Sequence, residues 1–124
     1  MLFRSRVVEL AGSRSWHLAF DASYEGALSV RIGSESGLEI TLEEGRLTVD
    51  LTGTRYPHGG RRVVTLDAGE ACRVEILHDR SITEIYLGDG SRVFTTRSFL
   101  NGAGTGVALE GGASVTDIRA VRAD

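Results

Sequence analysis

Asp79 and Glu84 are the residues of this 124-residue chain whose types and spacing come nearest to chemistry. Two carboxyl groups can cleave a glycosidic bond, one as the acid and the other as nucleophile or base. They must flank a cleft, about 5 Å apart in the retaining mechanism and roughly 6.5 to 9.5 Å apart in the inverting one. Both acids also have basic neighbours, Arg80 in sequence and Arg97 across a predicted hairpin. An ionic network that fixes strand register uses the same four side chains without a substrate, and it is the simpler reading. The other reactive types disperse. His17, His58 and His78 fall in three separate stretches without the ligand spacing of a zinc site, so no metal is expected. Cys72 is the sole cysteine, so it has no internal disulfide partner. At the start of an apolar strand it reads as a buried, inert thiol. Ser13, Ser15 and Ser81 lack a Gly-x-Ser-x-Gly setting, and no helix is predicted after any glycine-rich run, which excludes a nucleophile elbow and a phosphate loop. No cofactor is implied.

The elements that position these residues read as strands throughout. Cys72 to Leu77, Ile82 to Leu87 and Arg92 to Phe99 form three successive strands. The first turn is His78-Asp79-Arg80-Ser81, whose short polar side chains bond their own backbone. The second is Gly88-Asp89-Gly90, where Asp89-Gly90 is a strong hairpin signal because glycine reaches the positive φ of a tight turn. Before them, Met1 to Leu10 reads as an edge strand. Trp16 to Tyr24 places Trp16, Leu18 and Phe20 on one face, and Glu25-Gly26 is expected to turn the chain into Ala27 to Ile32. Leu38 to Leu42 and Leu47 to Leu51 alternate strictly around Glu43-Glu44-Gly45-Arg46, the cleanest hairpin in the chain. Thr52 to Arg62, with the only proline, reads as a surface loop, and Val63 to Leu66 as a short strand. Gly106 to Glu110 and Ser114 to Val121 close the chain around Gly111-Gly112. Ten to eleven short strands at hairpin spacing predict one all-β domain over residues 1–124, an antiparallel two-sheet β-sandwich of jelly-roll or concanavalin-like type. A closed barrel is the alternative.

A net charge of −3 from interspersed charges argues against nucleic acid or an anionic membrane as the main partner. No stretch reads as a signal peptide or reaches transmembrane length, and with the single cysteine this favours the cytoplasm. Trp16 and Phe20 share an apolar face with Leu18 and read as core. Tyr56 and His58, beside Pro57 in the long loop, are the exposed candidates for stacking on a sugar or for docking on another domain.

Asp79-Arg80-Ser81-Ile82-Thr83-Glu84-Ile85-Tyr86, then Gly88-Asp89-Gly90, then Thr95-Thr96-Arg97-Ser98-Phe99 resembles the C-terminal β-sandwich module of glycoside hydrolase family 32, the invertases, levanases and sucrose-6-phosphate hydrolases. Family members typically read Asp-Arg-Ser-Ser-Val-Glu-Val-Phe, an Asn-Asp-Gly-like turn and Thr-Ser-Arg. Here Gly88 replaces the usual polar turn residue, and Leu100-Asn101 stands where proline is frequent. The resemblance implies that Asp79, Arg80, Ser81, Glu84, Asp89, Gly90 and Arg97 form a structural motif rather than a catalytic one. In the family, fructoside hydrolysis takes place in a separate five-bladed propeller whose carboxylates lie in Asn-Asp-Pro, Arg-Asp-Pro and Glu-Cys-Pro contexts. The only proline here follows Tyr56, so none of those contexts is present. The implied partners are that catalytic β-propeller of the same polypeptide, a second copy in a homo-oligomer, and a fructoside at the cleft rim. The alternative is a free-standing carbohydrate-binding module.

Overall fold

The computed structural model describes residues 3–8, 15–32, 38–51, 60–67, 69–79, 82–88, 92–97 and 107–122. They form nine antiparallel strands: β1 (Phe3–Val8), β2 (Ser15–Ile32), β3 (Leu38–Glu43), β4 (Arg46–Asp50), β5 (Arg61–Thr65), β6 (Arg73–Asp79), β7 (Ile82–Leu87), β8 (Arg92–Arg97) and β9 (Val107–Arg122). The strand count is therefore lower than the ten to eleven expected, and the cause is specific. Glu25-Gly26 and Gly111-Gly112 do not end strands. They lie inside β2 and β9, which stay paired from Trp16 opposite Arg122 to Ile32 opposite Val107.

That pairing builds the sandwich. Residues 28–32 of β2 lie between β3 and β9, while residues 15–21 lie between β6 and β9. One layer thus runs β5-β4-β3-β2-β9-β1 and the other β9-β2-β6-β7-β8, with two long strands shared. Where they pass from layer to layer the register slips: Tyr24 faces Ala113 but Leu28 faces Gly111, so β2 carries two extra residues as a bulge that bends the ribbon. A second slip, Ala19 facing Arg119 and Asp21 facing Thr116, puts an extra residue in β9. Asp117 takes a φ of 52° there, which aspartate tolerates better than most residues. The far ends of the sheet then face each other, since Val49 and Val64 of β4 and β5 line a cavity of about 220 Å³ with Ile85 and Phe94 of β7 and β8. Arg92 ties these ends together by donating to Glu70 at 2.7 Å and to the carbonyl of Thr65 at 3.0 Å.

Alternation explains the core. Leu28, Val30 and Ile32, Leu38, Ile40 and Leu42, and Leu47 and Val49 point inward from one layer, and Trp16, Leu18 and Phe20, Val74 and Ile76, and Ile85 and Leu87 from the other. Burial of each large aliphatic or aromatic side chain contributes roughly 1.5–3 kcal/mol. The hairpin of β3 and β4 turns at Glu44-Gly45, with Gly45 at a φ of 88°. In contrast to the expectation of a buried thiol, Cys72 is exposed: it closes a single 3-10 turn, Glu70–Cys72, ahead of β6.

Tyr24 anchors that turn, its hydroxyl donating to the carbonyl of Ala71 at 2.8 Å. Burial, then the negative charge that Cys72 and Glu44 contribute, raises its pKa above the usual 10.0. A raised folded-state pKa contributes stability that is complete below the unfolded value. It is lost as pH rises from about 10 towards the folded pKa. Denaturation midpoints of the chain should therefore fall above about pH 10, and Tyr24→Phe should flatten that part of the pH profile.

Candidate functional site

The outer face of the layer β9-β2-β6-β7-β8 holds the carboxylates singled out by the sequence. Strand register sets them side by side. Asp79 pairs with Ile82 and Leu77 with Glu84, so the acids end one diagonal of a four-residue patch and the aliphatics end the other. Beside the patch, Ser15 pairs with Asp79 and His17 with Leu77. Ser15, His17, Leu77, Asp79, Ile82 and Glu84 line an open groove of about 480 Å³.

Each acid has a hydroxyl partner. Ser15 donates to Asp79 at 2.6 Å, and Tyr86 donates to Glu84 at 3.1 Å. The bond to Glu84 is the main cause that raises the Tyr86 pKa. Further along the face, Arg73 bonds Asp21 at 3.1 Å and lies 3.9 Å from Glu75, which lies 3.7 Å from His17. These partly exposed pairs contribute about 0–1 kcal/mol each and serve mainly to fix the register of β2 against β6. The two carboxylates lie on adjacent strands of one sheet face, and both line the open groove.

Arg97 is opposite Ile82 in β8, two positions along the strand from Thr95, the residue paired with Glu84. Asp79 and Ile82 are the last pair of the β6–β7 hairpin, which leaves Arg80 and Ser81 as its connection. Arg80, Ser81, Asp89, Gly90, Tyr56 and His58 lie outside the described residues, as does the side chain of Arg97. Among the described residues no group of three or more His, Cys, Asp or Glu side chains is placed to hold a metal. Among the described residues no helix is long and apolar enough to cross a membrane.

Beneath this face lies a buried cross-strand row of Trp16, His78, Thr83 and Thr96. The Trp16 and His78 rings stack with centroids 5.2 Å apart at 28°, and His78 Nδ1 lies 2.8 Å from Thr83 Oγ1. Trp16 and Phe20 are core, as their alternation predicts. The aliphatic residues on the outer face escaped the sequence reading. The available signal was Leu77, which occupies an outward position in β6 where alternation calls for a polar side chain.

The sequence comparisons agree on one family, and the fold is shared more widely, with a toad ovary galectin superposing at a TM-score of 0.67 and 11% identity over 96% of this chain and 99% of that one. The family described as glycosyl hydrolases family 32 C terminal matches residues 10–122. A sucrose-6-phosphate hydrolase of Streptococcus mutans is 33% identical over 102 residues, which is 77% of this chain but 21% of that enzyme. Among solved structures, a family 32 β-fructofuranosidase of Bombyx mori superposes with a TM-score of 0.76 at 20% identity, over 98% of this chain and 25% of that one. A sucrose-6-phosphate hydrolase of Lactobacillus gasseri superposes with a TM-score of 0.73 at 18% identity, over 99% of this chain and 28% of that one. The chain thus spans about a quarter of the length of these three family 32 enzymes.

Proposed function

This chain belongs to the C-terminal domain family of the family 32 glycosyl hydrolases, and on that premise we propose that it is the non-catalytic module of a β-fructofuranosidase-type enzyme. Its task is to support a separate catalytic domain of the same polypeptide. One observation carries this reading: the match to glycosyl hydrolases family 32 C terminal runs over residues 10–122, nearly the whole chain, while the chain covers only 21% of the Streptococcus mutans enzyme. Fructoside hydrolysis would then reside in the catalytic domain, and the motif from Asp79 to Arg97 would hold the β6-β7-β8 meander in register.

Segment exchange tests the proposal. Deletion of the matched segment from the Streptococcus mutans enzyme should lower both its melting temperature and its hydrolysis of sucrose 6-phosphate. Insertion of the present chain in that place should restore both. A hybrid that behaves like the shortened enzyme would contradict the supporting role.

A further inference from the structure

We propose that the outer face of the layer β9-β2-β6-β7-β8 is the surface that seats against the catalytic domain, an inference that rests on the module reading above. Four of the five large aliphatic residues left exposed among the described residues lie on this one face: Leu77 (37% exposed), Ile82 (40%), Val93 (47%) and Val121 (59%). Register brings them close together. Val121, His17, Leu77 and Glu84 form one cross-strand row, and Ile82 and Val93 stand in the rows on either side. The outer face of the opposite layer presents Ser29, Arg31, Glu39 and Thr41, with Arg31 paired to Glu39 at 3.2 Å. Val63, on the edge strand β5, is its only exposed large aliphatic among the described residues. An aliphatic cluster on one layer, against the polar described residues of the other, marks the first as the face that another surface covers.

The identity of the occupant follows from length. About three quarters of the Streptococcus mutans, Bombyx mori and Lactobacillus gasseri enzymes lies outside the segment this chain resembles, so a domain of the same polypeptide is the body available to cover the patch. On the patch, Asp21 and Glu75 are held by Arg73, and Asp79 and Glu84 accept from Ser15 and Tyr86. The groove lined by Leu77 and Ile82 fits a protein surface that offers an apolar side chain.

The experiment compares two contexts. Leu77→Asp and Ile82→Asp, with Leu77→Ser and Ile82→Thr as milder variants, are made in the isolated chain and in the Streptococcus mutans hybrid. Val63→Asp is the control on the other layer. In the isolated chain all should shift the melting temperature by no more than about 2 °C, since these positions already meet water. In the hybrid the Leu77 and Ile82 variants should lower it by roughly 5 °C or more, and Val63→Asp should not. A hybrid indifferent to Leu77 and Ile82 variants overturns the docking face and leaves the module reading standing. An unsubstituted hybrid no better than the shortened enzyme overturns the module reading and the face with it.

Discussion

Gly111→Ala is expected to destabilise the chain by at least about 3 kcal/mol, a large fraction of the roughly 5–15 kcal/mol by which ordinary domains are stable. Gly111 sits in β9 where the ribbon of β2 and β9 bends from one layer into the other, and its φ is 140°, a conformation that side chains disfavour. Space forbids the substitution as well. A Cβ there would stand 2.1 Å from the carbonyl oxygen of Ala27 and 3.1 Å from its carbon, both backbone atoms of the paired strand. Relief would require the two strands to separate at the bulge, and that bulge joins the layers. Gly60→Ala is the matched control: its φ is 56°, but nothing lies within 4 Å of the added carbon. It should cost about 1 kcal/mol from backbone strain alone. Urea denaturation of both variants separates the two terms. Equal midpoints would show that the close approach at Ala27 carries no energy.

Trp16→Ala is expected to cost about 3–5 kcal/mol, the range for large aromatic truncation in a packed core. Trp16 is almost fully buried and stacks on His78, which contacts Thr83 in turn, so its loss opens a cavity beside polar groups placed by that ring. Trp16→Phe should cost much less. It keeps an aromatic body on His78 and removes the indole Nε1, which is buried without a hydrogen-bond partner among the described residues. If the two variants were equally destabilised in urea, the unpartnered nitrogen would have no energetic consequence.

The parts of the fold legible in the sequence are those built by local alternation. Leu38 to Leu51 announces its hairpin because every inward residue is aliphatic and Glu44-Gly45 supplies the turn. The β6-β7-β8 meander is equally plain, and with it the placement of Asp79 opposite Ile82 and of Glu84 opposite Leu77. The bends at Glu25-Gly26 and Gly111-Gly112 were not legible. Glycine there signals a weak local preference for strand, yet β2 and β9 pair on either side of the bend, and distant contacts decide whether a chain turns or continues. Cys72 misleads for a related reason. The strand pattern begins one residue later, and the preceding 3-10 turn leaves the thiol outside the core. The docking face is hidden because Leu77, Val93 and Val121 belong to three different strands, and only the register makes them one patch.

On the proposed function, this chain has no active site of its own and works through a catalytic domain. Incubation of the purified chain with sucrose, sucrose 6-phosphate and a short fructan, with release of free sugar followed by chromatography, tests it most directly. The account predicts no hydrolysis above the buffer control at any chain concentration. Fructose release proportional to chain concentration, and lost in Asp79→Asn or Glu84→Gln, would contradict it and make the groove beside Asp79 and Glu84 a catalytic site.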